Sequence, residues 1–124
     1  MILGLGIDVA SIERMSRVLE RHGDRLWQRV LTPREQAVLA QRRDRAVALA
    51  GRWAAKEAAV KAFLGRAGAL WHDFEVGKGI LGEPEMRFHG RAAVVAQKIG
   101  VVRAFVSITH DAGVAAAVVV LEGQ

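Results

Sequence analysis

The chain of 124 residues contains no cysteine and no tyrosine, and only two prolines. Without cysteine it has no disulfide bond, no thiolate nucleophile and no thiolate-ligated metal or iron–sulfur site. No apolar run approaches the roughly 20 residues that a membrane-spanning helix needs, so we expect no contact with a membrane. The amino-terminal segment carries Asp8 and Glu13 and lacks a basic region. This pattern argues against a secretory signal and favours a cytoplasmic protein.

The composition is apolar with an excess of positive charge. Apolar residues make up 52% of the chain, and the formal net charge is +5. Residues 1–66 hold 13 basic and 7 acidic side chains, whereas residues 67–124 hold 5 and 6. The length and apolar content fit a single domain over residues 1–124. The basic half indicates an anionic partner, which could be nucleic acid, an acidic protein or a phosphorylated small molecule.

The first part of the chain predicts a strand followed by an amphipathic helix. Residues 2–10 favour a strand, and the glycines within it indicate close approach of another backbone segment. Ser11 is a suitable N-cap for a helix that reaches about Arg21 and ends at Gly23. Apolar side chains lie on one side of this helix, with Leu26 on the same side. The opposite side carries four arginines at three- and four-residue spacing, Arg14, Arg17, Arg21 and Arg25.

The rest of the chain predicts a central helix and several strands. Residues 32–35 read Thr-Pro-Arg-Glu, a capping box that opens a short helix towards Arg42. From Arg45 to Leu64 the alanine content favours helix, and apolar residues all round it are typical of a buried helix. Later patterns predict strands over 73–78, 85–89, 102–109 and 114–121 and a helix over 91–99. We therefore expect an α+β fold with helices packed on a mainly antiparallel sheet.

Two carboxylates stand in otherwise apolar segments. Asp8 follows an apolar strand, where it could serve only as a cap or turn acceptor. Glu57 lies mid-helix among alanines, where a carboxylate is costly unless it is paired or bound to a metal. An ordinary i,i+4 pair with Lys61 would satisfy it. Arg52 and Lys56 add two further charges to the same helix, and this concentration indicates a functional site.

Other kinds of site fit the sequence poorly. The phosphate-loop and dinucleotide-binding glycine motifs are incomplete, and the four histidines have no zinc-site spacing. With only oxygen ligands available, Mg²⁺ is the favoured metal, held by one or two carboxylates and substrate phosphates. His110 ends a predicted strand just before Asp111, at a junction where side chains often face a cleft. A lone histidine is nevertheless more often structural than catalytic.

Three segments together carry a resemblance to a known family. They read GIDVASIERM (6–15), GRWAAKEAAVKAF (51–63) and VSITHDAGVAAAVV (106–119). The pattern of Gly-x-Asp, Trp-x-x-Lys-Glu-Ala-x-x-Lys and Ser-x-Thr-His resembles that of the holo-[acyl-carrier-protein] synthases, the short, single-domain type of 4′-phosphopantetheinyl transferase. The family moves the 4′-phosphopantetheine arm of coenzyme A to a serine of an apo acyl carrier protein and releases adenosine 3′,5′-bisphosphate. Its members are typically homotrimers with coenzyme A between subunits.

The resemblance implies a role for each residue of the central motif. Asp8 and Glu57 would hold Mg²⁺ against the pyrophosphate of coenzyme A. Lys61, one helical turn beyond Glu57, would stabilise the leaving bisphosphate, because phosphoryl transfer depends chiefly on positioning and charge stabilisation. The attacking serine must lose a proton, which Glu57, Asp8 or a metal-bound water could accept.

The resemblance also implies contacts for the nucleotide and the carrier. His110 and Asp111 would act near the nucleotide, with His110 on a phosphate. Arg52 is a candidate for the 3′-phosphate or, equally, for a structural salt bridge. Carrier proteins present an acidic helix after the target serine, which would bind the arginine stripe through Arg14, Arg17 and Arg21, with Arg25 as a further candidate.

Two alternative classes stay open at the level of sequence. A small basic nucleic-acid-binding module is compatible with the charge, but aromatic residues make up only 6% and no binding motif is present. We therefore expect no nucleic-acid partner. A catalytically inactive interaction subunit is disfavoured because Asp8, Glu57, Lys61 and His110 are all present.

Overall fold

Two antiparallel sheets and five α-helices make up the computed structural model, which describes residues 1–124. The helices are α1 (Ile12–His22), α2 (Asp24–Val30), α3 (Pro33–Leu39), α4 (Arg45–Ala62) and α5 (Gly90–Ile99). The strands are β1 (Ile2–Ser11), β2 (Phe74–Lys78), β3 (Pro84–Phe88), β4 (Arg103–Asp111) and β5 (Val114–Glu122). The expected α+β class, with helices on antiparallel sheet, is confirmed. No helix is both long enough and apolar enough to span a bilayer.

The main sheet has the strand order β1-β5-β4, and α4 packs on one of its faces. The side chains of β5 on this face are fully buried, and ten residues of α4 are buried with them. Two glycines of β1 make the closest approach to α4, because a Cβ at Gly4 or Gly6 would collide with the carbonyl oxygen of Ala62 or Ala58. The prediction of a buried central helix is therefore confirmed.

The other face of the main sheet is apolar and exposed. Leu5, Ile7 and Val9 of β1 are 63–64% exposed. Leu5 lies in one row with a valine of β5 and with Phe105 of β4. We call this surface the open face, and its members are Leu5, Ile7, Val9, Ala116, Val118, Val120 and Phe105. The last strand is thus apolar on both sides, as its sequence predicted.

The second sheet is a hairpin of β2 and β3 that forms no ladder with the main sheet. Its base is fixed by aromatic packing, since the ring centroids of Phe63 and Phe88 lie 5.1 Å apart and those of Phe63 and Phe74 6.3 Å apart. Its tip is open to solvent, and Ile80 and Leu81 there are exposed. Between base and tip, the hairpin contacts α3, α4 and β4 by packing and not by strand pairing.

The structure corrects three of the expected elements. The segment after Gly23 forms the separate helix α2, because Gly23 adopts a φ of 55° and redirects the chain. Leu26 and Arg25 consequently belong to α2 rather than to the faces of α1. The helix opened by the capping box ends at Leu39, short of Arg42. Strand β4 runs two residues further than expected, which places His110 and Asp111 within it.

Candidate functional site

Two carboxylates and a lysine meet between β1 and α4. The Nζ of Lys61 lies 3.0 Å from the Oδ1 of Asp8 and donates a second hydrogen bond of 3.0 Å to the carbonyl of Ile7. Glu57, one turn before Lys61 on the same face of α4, forms no ion pair or side-chain hydrogen bond. The i,i+4 pair with Lys61 that could have explained Glu57 is therefore not formed. We call Asp8, Glu57 and Lys61 the carboxylate cluster.

The electrostatics of the carboxylate cluster leave it short of positive charge. Burial raises the pKa of Glu57, the negative charge of Asp8 raises it further, and Lys61 opposes the rise. A cation placed between the two carboxylates would oppose this rise in the pKa of Glu57. The protein groups no third histidine or acid with these two, so further ligands to a metal ion would come from a substrate or from water.

A cavity of about 310 Å³ lies at the opposite edge of the main sheet. Arg52 of α4, Lys78 of β2, Pro84 of β3 and His110 of β4 all line it. The Nε of Arg52 is buried without a hydrogen-bond partner. Burial lowers the pKa of Arg52, and the carboxylate of Glu35 opposes this effect. The cavity thus holds an under-compensated guanidinium among basic side chains, which suits an anionic ligand.

The structure keeps the two groups of predicted residues apart within one chain. Asp8 lies on β1 and His110 on β4, with β5 between these strands. No member of the carboxylate cluster lines the cavity. The structure brings Asp8, Glu57 and Lys61 together in the carboxylate cluster. It brings Arg52 and His110 together in the cavity.

Asp111 has a local contact at the end of β4. Its Oδ1 accepts a hydrogen bond of 2.9 Å from the amide of Ala112, which lies in the turn to β5 at a φ of 52°. Asp111 is exposed and does not line the cavity. The structure gives this carboxylate a turn-stabilising contact, and its predicted place near the nucleotide stays a prediction.

The arginines of α1 form a basic surface. Arg14, Arg17 and Arg21 line a shallow exposed pocket, whereas Arg25 lies on α2. Arg14 also borders a neighbouring groove whose wall includes Trp53 and residues of β1 that directly follow Asp8. Only Arg17 has an ionic neighbour, an exposed glutamate at 3.9 Å. These guanidinium groups are therefore free to meet an acidic partner.

Sequence reasoning missed part of the cavity and a buried ion pair. Lys78 and Pro84 line the cavity from the hairpin, although the sequence placed Lys78 only at the end of a predicted strand and neither residue was among the predicted site residues. Lys56 was noted as a charge in α4, but its partner is Glu35, which the sequence identified only as a capping residue. Twenty-one residues separate the pair, so no local spacing rule could have joined them.

Comparisons with known proteins identify the family. Residues 4–119 match the family model described as the 4′-phosphopantetheinyl transferase superfamily. The chain is 46% identical to the holo-[acyl-carrier-protein] synthase of Koribacter versatilis, over 98% of this chain and 99% of that protein. The solved holo-[acyl-carrier-protein] synthase of Neisseria meningitidis has 31% identity and a TM-score of 0.88, over 98% of this chain and 99% of that one. The Helicobacter pylori synthase, solved in complex with coenzyme A, has 28% identity and a TM-score of 0.81, over 95% of this chain and 99% of that chain.

The chain therefore belongs to the 4′-phosphopantetheinyl transferase superfamily. Within that superfamily its relatives at about 45% identity over nearly the whole chain are holo-[acyl-carrier-protein] synthases, and it is an enzyme of that type. Membership of this family favours a transferase over the nucleic-acid-binding alternative.

Proposed function

We propose that this enzyme transfers the 4′-phosphopantetheine arm of coenzyme A to a serine of an apo acyl carrier protein in the cytoplasm, in a reaction that needs Mg²⁺. The products are the holo carrier protein and adenosine 3′,5′-bisphosphate. The observation that carries the proposal is the pairing of Asp8 and Glu57 beside Lys61, in a chain whose relatives are holo-[acyl-carrier-protein] synthases.

The carboxylate cluster fits a magnesium ion. Asp8 and Glu57 supply hard oxygen donors, and burial together with the charge of Asp8 raises the pKa of Glu57, a shift that a bound cation would oppose. These two residues would hold the ion, which would neutralise charge on the pyrophosphate of coenzyme A when bound. Lys61 is half exposed and held by only two hydrogen bonds. Its ammonium would turn to the phosphates and stabilise the leaving bisphosphate.

The carrier serine attacks the β-phosphorus of coenzyme A, and the anhydride oxygen leaves with adenosine 3′,5′-bisphosphate. The proton of the seryl Oγ passes to a carboxylate oxygen of Glu57 or Asp8, or to water.

The cavity at the β4 edge suits the nucleotide of coenzyme A. Arg52 offers an unpartnered guanidinium there, and His110 and Lys78 add donors for phosphate oxygens. We assign Arg52 to the 3′-phosphate and His110 to a neighbouring phosphate. Asp111 follows His110 and is placed near the same end of the nucleotide.

The carboxylate cluster and the cavity lie apart within one chain, and we call them the two half-sites. Their separation supports a homotrimer with a shared cleft. One coenzyme A must reach both the carboxylate cluster and the cavity, which lie on opposite edges of the same sheet. The open face supplies a surface for association, because stacking it against its copies removes exposed apolar side chains from water. In a ring, the β1 edge of one subunit then meets the β4 edge of its neighbour.

The basic surface of α1 is the proposed docking site for the carrier. Arg14, Arg17 and Arg21 face outward beside the groove that leads towards Asp8. An acidic helix bound there would present its serine to the carboxylate cluster. Charge pairs across such a surface act chiefly on encounter rate and register.

The deciding experiment is mass spectrometry of an apo acyl carrier protein after incubation with the enzyme, coenzyme A and Mg²⁺. We expect a mass gain equal to the phosphopantetheine arm, and no gain in EDTA. An unchanged carrier mass in Mg²⁺ contradicts the proposal. Salt-sensitive binding of any DNA or RNA duplex would then support the basic-module alternative.

A further inference from the structure

Lys56 is a fully buried cation that the proposed chemistry does not use. It precedes Glu57 in α4, yet its side chain points away from the carboxylate cluster and is 1% exposed. Its Nζ lies 2.7 Å from the Oε1 of Glu35 and 3.0 Å from the carbonyl oxygen of Trp71. A buried ion pair is weak evidence for stability, because desolvation offsets much of the attraction. A contribution to stability therefore does not by itself explain why Lys56 and Glu35 are buried together.

Glu35 joins three separate parts of the fold. Its Oε1 accepts hydrogen bonds from Lys56 and, at 2.8 Å, from the amide of Thr32. Its Oε2 accepts a hydrogen bond of 2.9 Å from the amide of Val76 in β2. One buried carboxylate thus connects the start of α3, the middle of α4 and the hairpin of β2 and β3.

Besides the bond to Glu35, the hydroxyl of Thr32 donates a hydrogen bond to the Oε2 of Glu75 in β2, and Arg34 lies 3.8 Å from the same carboxylate. Both contacts involve Glu75, so the hairpin has few other polar ties to the helices here. It shares no strand ladder with the main sheet, and its aromatic anchors Phe74 and Phe88 lie at its base. The residues that line the cavity come further along, directly after Val76. The hydrogen bond from Val76 to Glu35 is therefore the nearest polar tie between this wall of the cavity and the helices.

We propose that Lys56 is a positioning residue, which acts through Glu35 to set the spacing between α4 and the hairpin and so shapes the nucleotide cavity. Helix α4 forms one wall of the cavity and carries Arg52, and the hairpin forms the other wall and carries Lys78. The inference rests on the proposed function, because it assigns the nucleotide of coenzyme A to this cavity. It predicts that the ion pair matters more for nucleotide affinity than for folding.

The test replaces both charges at once, with Lys56→Met combined with Glu35→Gln. The double change roughly keeps the volume of the two side chains. It removes one positive and one negative charge together, so the net charge near Arg52 stays the same, and the glutamine oxygen can still accept from the amide of Thr32. We expect adenosine 3′,5′-bisphosphate to bind about tenfold more weakly by calorimetry, because a small displacement of one wall misplaces its ligands. The Michaelis constant for coenzyme A should rise in step, while that for the carrier stays within about twofold.

The matched control removes an ion pair that does not border the cavity. Arg45 of α4 lies 3.1 Å from Asp24 of α2, and both side chains are largely exposed. Arg45→Met combined with Asp24→Asn should leave the nucleotide affinity unchanged. If the buried double variant is folded and binds the nucleotide as tightly as the wild type, the positioning role is wrong. If the wild type itself binds no nucleotide, the proposed function fails and the inference falls with it.

A second probe covers the case in which the buried double variant does not fold. Replacing the amide of Val76 by an ester, with α-hydroxyvaline at this position, deletes the one N–H of the hairpin that donates to Glu35 and leaves the bonds from Thr32 and Lys56 in place. Both charges and all side chains remain. We expect a several-fold loss of nucleotide affinity with unchanged carrier recognition, and an unchanged affinity would overturn the proposal.

Discussion

The carboxylate of Glu57 lies half-buried beside that of Asp8, and no cation of the protein contacts it. Burial and Asp8 raise its pKa, so the folded state holds the Glu57 proton more tightly than the unfolded chain does. Stability from this group is present at low pH and is lost as the pH rises through the folded pKa. The negative charge with which Glu57 would bind Mg²⁺ thus lowers the stability of the folded protein.

Glu57→Gln should therefore raise the melting temperature by a few degrees at pH 7 in EDTA. The gain should vanish below about pH 4.3, where glutamate in an unfolded chain is itself protonated. Calorimetry over a pH series measures this, with the exposed Glu20→Gln as the control. A variant less stable than the wild type at pH 7 would show that Glu57 is satisfied in the fold.

The same substitution should abolish turnover. Glu57→Gln and Asp8→Asn keep the size of each side chain and remove one donor charge for Mg²⁺, so we expect transfer to fall by about two orders of magnitude or more. The rate of carrier modification at limiting Mg²⁺, followed by mass spectrometry, tests both variants. A well-folded variant with near-wild-type turnover would show that the ligand assignment is wrong.

At the level of single residues, sequence reasoning identified charges but not their partners. Glu57 and Lys61 were recognised because an alanine-rich helix makes any charge conspicuous. The contact of Lys61 with Asp8 spans 53 residues, so helical spacing suggested the wrong partner. The role of Arg52 was undecided between a phosphate and a salt bridge, and its unpartnered Nε supports the phosphate.

Among the elements, α1 carries the clearest testable surface. Arg14 is exposed, and its side chain forms no ion pair. Arg14→Glu should leave the fold intact and repel an acidic carrier helix. We expect the Michaelis constant for the carrier to rise by about tenfold or more while coenzyme A affinity changes little.

Salt and a matched variant separate docking from a general charge effect. Added salt should weaken wild-type carrier binding and narrow the gap to Arg14→Glu, since screening reduces attraction and repulsion alike. Lys98→Glu makes the same charge change on exposed α5 and should have little effect. If Arg14→Glu impairs coenzyme A binding and spares the carrier, α1 belongs to the nucleotide site.

Most elements were predictable because local signals marked their ends. The capping box at the start of α3 and the glycine after α5 are such signals, and both are present in the structure. Helix α2 was missed because it has only seven residues and follows Gly23, which the sequence identified only as the end of the first helix. The split into two sheets depends on long-range packing that no local pattern records.

For the whole molecule, the open face predicts assembly. Burying each of its large aliphatic side chains is worth about 1.5–3 kcal/mol, so a charge placed there should break subunit contacts. We expect Ile7→Asp to convert a trimer to monomers and to lose activity with it. Sedimentation velocity measures the state, and a fully active wild-type monomer would rule out the shared cleft.

An exposed apolar residue outside the open face provides the control. Val94 on α5 is 52% exposed, and Val94→Asp should leave both assembly and activity unchanged. The exposed apolar face was foreseen from the last strand, which is apolar on both sides. Its extension across β1 was not, because the side on which Ile7 lies depends on where the glycines of β1 meet α4.

The placement of the two half-sites on opposite edges of one sheet has a genetic consequence. Each subunit would contribute the carboxylate cluster to one cleft and His110 to another, so two inactive alleles could rescue each other. In mixed trimers of Glu57→Gln and His110→Ala subunits, a cleft would be intact where Glu57 comes from a His110→Ala subunit and His110 comes from a Glu57→Gln subunit. At equal expression this would hold for about a quarter of the clefts. A cell carrying both defective copies would then grow where neither alone suffices, and a single inactive allele would impair the wild-type subunits with which it assembles.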